Sequence, residues 1–139
     1  MTISTGPQAA ERPGMPHRLA AAVGGYGERL AERYLREQGM VILERNWRCR
    51  HGEVDIVALD GSCLVVCEVK TRRSLTFGGP VQAVTFRKLA RLRGLAAAWM
   101  QEQERLGRRV SVADLRVDVV GVTRPPVGPC VIEHLRGVG

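Results

Sequence analysis

Hydrophobic and polar residues follow two different periods along this chain of 139 residues, and the changes of period divide it into helices and strands. In residues 26–38 the apolar side chains have the three- and four-residue spacing of an amphipathic helix: Leu30, Ala31, Tyr34 and Leu35. Gly39 follows as a C-cap. Residues 40–48, 53–59 and 63–71 alternate or form short apolar runs, which predicts three strands.

Turn signals separate these strands. His51-Gly52 lies between the first two, and Asp60-Gly61 is a two-residue hairpin signal between the second and third. A loop rich in glycine precedes a second helix, predicted over residues 81–106 and ended by Gly107. Residues 115–122 and 130–135 predict two last strands. The order α-β-β-β-α-β-β predicts an α/β fold, a mixed sheet with helices packed against it.

The first residues lack any such period. Residues 1–17 are rich in Pro, Gly, Ser, Thr and Gln and are predicted to be a disordered lead-in, followed by a single domain over residues 18–139. An apolar h-region is absent at the N-terminus, so we expect a cytoplasmic protein whose four cysteines are free thiols. No apolar run approaches the roughly 20 residues that a membrane helix needs.

Composition changes this picture in two ways. Aromatic residues make up only 4% of the chain, so the core must be aliphatic. The formal net charge is +7 and the sequence pI about 10.1, which favours a negatively charged partner, most often nucleic acid.

Cys63 and Cys67 lie in an apolar strand at the wrong spacing for zinc, and no phosphate-binding glycine loop indicates a nucleotide cofactor.

Two charged segments interrupt strands that otherwise look buried: Glu53-Val54-Asp55 and Glu68-Val69-Lys70. Buried charges must be paired or bound to metal. Side chains alternate along a strand, so Glu68 and Lys70 share a face, and the hairpin brings Asp55 close to Glu68. Mg²⁺ prefers carboxylates and phosphate oxygens. The residues themselves leave open a metal site or a structural ion-pair network.

Further candidates surround these segments. Glu28 follows the glycine-rich stretch 24–27 and could add a third carboxylate or orient metal-bound water, or it could be a solvent-facing helix residue. Glu53 could support the site or pair with Arg48 or Arg50, and Gln82 could orient water or phosphate or be a helix-start residue without a role. Four basic residues could contact a nucleic-acid backbone or be solvated: Arg72, Arg73, Lys88 and Arg91. Arg87, Lys88 and Arg91 are predicted on one side of the long helix.

An Asp followed one strand later by Glu-x-Lys resembles the PD-(D/E)xK pattern of restriction-endonuclease-like proteins. The wider set resembles the YraN-like family of bacterial proteins over about residues 24–122: Gly27-Glu28, Tyr34-Leu35, Gly39, Arg45-Asn46, Gly52-Glu53-Val54-Asp55, Glu68-Val69-Lys70-x-Arg72, Phe77-Gly78, Lys88 and Arg116-Val117-Asp118-Val119-Val120. Val54 stands where the superfamily pattern has Pro.

That family is similar to Holliday-junction resolvases. The resemblance implies phosphodiester hydrolysis dependent on Mg²⁺ or Mn²⁺, with Glu28, Asp55, Glu68 and Lys70 as catalytic residues and the three carboxylates as metal ligands. It implies DNA as partner, branched or single-stranded, and a homodimer by analogy with resolvases. Two functions stay open: a nuclease, or a module of the same fold that binds nucleic acid or protein with little or no catalysis.

Overall fold

A computed structural model describes residues 17–73 and 85–138, with side chains from residue 25 onwards. The elements in these ranges are α1 (His17–Glu37), β1 (Val41–Cys49), β2 (Gly52–Asp60), β3 (Cys63–Arg72), α2 (Phe86–Arg105), β4 (Asp114–Thr123) and β5 (Val131–Leu135). The predicted element order is confirmed. The predicted lead-in and Gln82 lie outside the described residues, apart from His17, which already belongs to α1.

The strands form a mixed sheet in the order β1-β2-β3-β4-β5. All neighbouring pairs are antiparallel except β3 and β4, which are parallel and are connected through α2. Because β3 and β4 are parallel, their C-terminal ends lie at the same edge of the sheet. The start of β2 reaches that edge as well, since β2 runs antiparallel to β3.

Each helix covers one face of the sheet, and each face has its own hydrophobic cluster. The cluster under α2 contains Trp47, Val54, Val57, Leu64, Val66, Leu92, Leu95, Ala96, Trp99 and Val117. The cluster under α1 contains Ala31, Leu35, Met40, Ile56, Ala58, Val65, Cys67, Val120 and Val122. The core is aliphatic apart from the two tryptophans, as the composition predicts, and the α/β fold class is confirmed.

The strand predictions are correct to within one residue at every end. Helix α1 begins at His17 rather than at residue 26, because the alanine-rich stretch 20–22 has high helix propensity without amphipathic spacing. Asp60 pairs with Cys63, so the hairpin turn is Gly61-Ser62, one residue later than predicted, with Gly61 at φ +63°. Helix α2 ends at Arg105, and Thr85 caps its start by accepting a hydrogen bond from the Lys88 N–H at 3.1 Å.

Buried polar groups in these residues are mostly paired. The indole N–H groups of Trp47 and Trp99 donate to Glu102 and Glu44 at 3.1 and 2.8 Å. All four cysteines are free thiols, as predicted. In the described part of the chain, neither helix is long and apolar enough to cross a membrane.

A buried network around Asp118 joins β4 to the C-terminal segment. Asp118 accepts hydrogen bonds from Arg116 Nε at 2.9 Å and the Gly137 N–H at 2.9 Å, and its Oδ2 lies 2.8 Å from His134 Nε2. Tyr34 Oη lies 3.1 Å from the other ring nitrogen of His134. Burial raises the pKa of Asp118, but these partners outweigh it and lower that pKa to about 2.

Candidate functional site

In β1 and β2 the regular alternation of side chains between the two faces of the sheet is interrupted near the end where the charged segments meet. Side chains two residues apart in a regular strand share a face. Val54 nevertheless packs under α2 and Ile56 under α1. In β1 the change coincides with Asn46, whose φ of +54° lies in the left-handed region. Asp55 lies between Val54 and Ile56, so its side chain does not follow the regular alternation of side chains between the two faces of the sheet.

Asp55 is buried, and its carboxylate accepts a hydrogen bond from a backbone N–H of β3. The β2–β3 pairing ends at Ile56 with Cys67, and beyond it Asp55 Oδ2 accepts the N–H of Val69 at 2.8 Å. Burial raises the pKa of Asp55 well above its usual range, and the negative charges of Glu68 and Glu28 raise it further, against the hydrogen bond from Val69. The predicted proximity of Asp55 and Glu68 is therefore present, although the two residues are not a ladder pair.

Helix α1 brings Glu28 to the same point through a close approach at Gly27. A Cβ at Gly27 would lie 2.1 Å from Thr71 Oγ1 and 3.1 Å from Thr71 Cβ, so only glycine fits against β3 in this arrangement. Glu28 follows directly and is 5% exposed. Burial raises the pKa of Glu28 to about 7, opposed by a hydrogen bond with Asn46 and by the positive charge of Arg45.

Two lysines complete the cluster from β3 and α2. Glu68 Oε2 lies 3.2 Å from Lys70 Nζ and 2.6 Å from Lys88 Nζ. Burial lowers the pKa of Lys70, and a hydrogen bond with Lys88 lowers it further. Burial also lowers the pKa of Lys88, but its hydrogen bonds to Glu68 and Lys70 and the negative charges of Glu68 and Asp55 together outweigh burial, and the net shift is upward. Glu68 and Lys70 share a face, as predicted.

The structure thus brings together Glu28, Asp55, Glu68 and Lys70, the four residues on which the prediction centred. We call the three acidic side chains the carboxylate cluster. The described part of the chain contains no group of three His, Cys, Asp or Glu side chains gathered closely enough to hold a metal ion. The carboxylates therefore influence one another electrostatically without forming a ready coordination shell.

The remaining candidates lie around this edge. Glu53 forms an ion pair with Arg48 at 3.2 Å, one of the two alternatives for it, and its charge also raises the pKa values of Glu28 and Asp55. Arg72 and Arg73 lie at the end of β3, half-buried and exposed respectively. Arg91 is exposed, and its Cδ lies 4.0 Å from where a Cβ on Gly52 would be.

Of the three basic residues predicted on one side of α2, Arg87 and Arg91 are exposed, whereas Lys88 is half-buried. Lys88 turns inward to Glu68, because the first turn of α2 lies above the end of β3 and the buried carboxylate attracts the ammonium group. Sequence reasoning also missed Asn46 as a partner of Glu28. Its signal is an Asn inside a strand pattern, since Asn tolerates positive φ better than most residues.

Fold and cluster define a class: a mixed α/β protein with buried carboxylates and two lysines at one end of its sheet. Within that class, residues 27–122 match the model of the family described as "Uncharacterised protein family UPF0102". The chain belongs to this family, and its resemblance to YraN-like proteins is confirmed. The matched segment contains the whole carboxylate cluster and both lysines.

Relatives from other bacteria support the assignment. A "UPF0102 protein" of Nocardioides sp. is 57% identical over 121 residues, covering 87% of this chain and 94% of the relative. Those of Kineococcus radiotolerans and Beutenbergia cavernae are each 54% identical, covering 87% and 88% of this chain and 96% and 99% of the relatives. Their names state no activity.

Proposed function

We propose that this protein is a cytoplasmic, metal-dependent nuclease that hydrolyses phosphodiester bonds of DNA. One observation carries the proposal: three carboxylates, Glu28, Asp55 and Glu68, are buried near one another. The charge of Glu68 raises the pKa of Glu28, and the charges of Glu68 and Glu28 raise that of Asp55. Such repulsion costs stability unless a cation offsets it. Mg²⁺ or Mn²⁺ is the natural counter-charge for an all-oxygen site that also meets phosphate.

The donor set fits a divalent cation in chemistry. Glu28 Oε1 is buried and accepts no hydrogen bond within the described residues, so one acceptor is available for a ligand bond. Glu28, Asp55 and Glu68 would hold the ion, which would lower the pKa of a bound water and neutralise charge on the phosphate. Because Lys70 and Lys88 both contact Glu68 Oε2, at 3.2 and 2.6 Å, an ion that binds through this oxygen would displace them from it.

Lys70 has the position and the protonation behaviour of a group that handles a proton. Burial and the neighbouring Lys88 lower its pKa, which increases the share of neutral amine able to accept a proton from an attacking water. In its charged form, Lys70 would stabilise negative charge on the phosphate. Arg72, Arg73 and Arg91 would hold the nucleic-acid backbone beside the cluster.

A second function is a nucleic-acid-binding module without turnover. The contacts of Glu68 with two lysines favour this alternative, because ammonium groups already neutralise the carboxylate that a metal would need. In such a module Lys70 and Lys88 would contribute to phosphate binding rather than to hydrolysis. Both functions predict affinity for nucleic acid, and they differ in whether bonds are cut.

The test is cleavage of labelled DNA junctions, flaps, single strands and duplexes, and of RNA, with Mg²⁺ or Mn²⁺. We expect cleavage that EDTA abolishes and that Glu68→Gln lowers at least about 100-fold, while binding is retained. The matched control is Glu104→Gln, an exposed glutamate near the far end of α2. Binding without cleavage under every condition would refute the nuclease and favour the module. Cleavage unchanged in Glu68→Gln would refute the proposed site.

A further inference from the structure

A groove between α1 and the edge strand β1 has no part in the function argued so far. Its volume is about 680 Å³, and its charged lining comprises Arg29, Glu32, Arg33 and Arg36 from α1 and Glu44 and Arg45 from β1. Four arginines face two glutamates, so the lining is positive. Arg72, Arg73 and Arg91 do not line this groove; they lie near the C-terminal end of β3 and the start of β2.

Both glutamates are engaged inside the protein. Glu32 forms ion pairs with Arg36 at 2.7 Å and with Arg45. Glu44 accepts the indole N–H of Trp99 at 2.8 Å. The arginines on the helix keep access to solvent: Arg33 is exposed, and the side chain of Arg36 is 56% exposed. The charge presented outward is therefore positive.

The arginines of α1 form a row along one side of the helix. Positions 29, 33 and 36 have the three- and four-residue spacing that places side chains above one another. At a rise of about 1.5 Å per residue the row spans roughly 10 Å. A row of this length can contact neighbouring phosphates of one strand.

Two residues of the groove lining connect it to Glu28 of the carboxylate cluster. Arg29 directly follows Glu28 in α1, and Arg45 lies close enough that its positive charge lowers the pKa of Glu28. Guanidinium groups bind phosphate oxygens in a bidentate manner. A backbone lying along the row would reach the cluster without leaving the protein surface, and its continuation would meet the basic residues at the end of β3.

We propose that this groove binds the sugar–phosphate backbone of one nucleic-acid strand and leads it to the carboxylate cluster. The inference rests on the proposed function for its partner, and adds the path by which that partner reaches the site. Arg33 and Arg36 are the principal outer contacts, and Arg29 is the inner one. Acidic proteins share the negative charge of nucleic acid but lack its regular phosphate spacing.

The test compares Arg33→Ala/Arg36→Ala with a control of equal charge, Arg105→Ala/Arg108→Ala, whose arginines are exposed at the far end of α2. Anisotropy of labelled single-stranded DNA, duplex DNA and RNA is measured in EDTA over a range of salt concentrations. We expect the groove variant to bind roughly tenfold more weakly and to lower the salt slope by about one to two. The control should change neither, and Arg33→Lys/Arg36→Lys should recover most of the slope.

Equal losses in the groove and control variants would overturn the proposal, since net charge would then explain binding. Competition by polyglutamate as strong as by unlabelled DNA would overturn it as well, as would a wild-type protein that binds no nucleic acid. Groove-dependent binding without any cleavage would support the groove while refuting the nuclease. Cleavage that needs Glu68 but is unaffected in the groove variant would refute the groove alone. Circular dichroism checks that each variant is folded.

Discussion

Glu28→Gln should make the metal-free protein more stable at neutral and higher pH. The pKa of Glu28 is raised from 4.5 to about 7, first of all by burial. The folded state therefore holds this proton more tightly than the unfolded state. As pH rises from about 4.5 to 7, stability is lost progressively, and above pH 7 the full cost of the buried charge remains.

The interval between these two pKa values corresponds to about 3 kcal/mol at 1.36 kcal/mol for each pKa unit. Because Glu28 is only 5% exposed, solvent screening reduces this figure little. Glutamine has the shape of the protonated acid and cannot ionise. The variant should thus gain about 3 kcal/mol over wild type at about pH 8 and almost nothing at about pH 4.5.

Urea unfolding of both proteins in EDTA at these two pH values measures the difference. Glu104→Gln is the control, since its side chain is exposed and should change stability by less than about 0.5 kcal/mol. Excess Mg²⁺ should then stabilise wild type more than the variant, because a ligand that binds only the folded state raises its stability. A variant no more stable than wild type at pH 8, or equally stabilised at both pH values, would refute the reasoning.

Two further predictions concern how the fold supports the cluster. Gly27→Ala should lower the free energy of unfolding by about 1–3 kcal/mol, because its Cβ would lie 2.1 Å from Thr71 Oγ1. Gly94→Ala is the control: its Cβ would have open space, and the variant should gain about 0.5–1 kcal/mol in the same urea titration. Equal effects of the two substitutions would contradict the close approach at Gly27. Asp118→Asn should cost about 3 kcal/mol, because it leaves Arg116 and His134 without their charged partner. Wild type should lose about 2 kcal/mol of stability as pH falls from about 4 to 2, since the pKa of Asp118 is lowered from 3.8 to about 2. An acid transition unchanged in the variant would count against this.

The strands could be predicted from the sequence almost to the residue, because each apolar run is bounded by turn residues and the central strands β2, β3 and β4 are buried on both faces. The site could be predicted in part for a related reason. Glu68 and Lys70 interrupt an apolar run, and a buried charge in a strand needs a partner. Strand alternation then places both on one face, where the structure has them 3.2 Å apart.

What could not be predicted depends on contacts between distant segments. The inward turn of Lys88 requires knowing that α2 begins above the end of β3, which no local period reveals. The change of face at Asn46 depends on a single left-handed residue within a strand. The network of Asp118 with His134 and Tyr34 joins residues from three elements, and their distance along the chain gives no indication of this pairing.

These departures from local rules are concentrated at one end of the sheet, and this concentration is the strongest argument that the end has a function. Gly27 lies within a helix, Asn46 adopts positive φ within a strand, and Asp55 is buried among other carboxylates. Each of them costs stability when taken alone. A fold selected only for stability would replace them independently, whereas here each one positions or surrounds the same charged groups. The costs are thus explained together if the cluster acts on a ligand that the stable parts of the fold do not need.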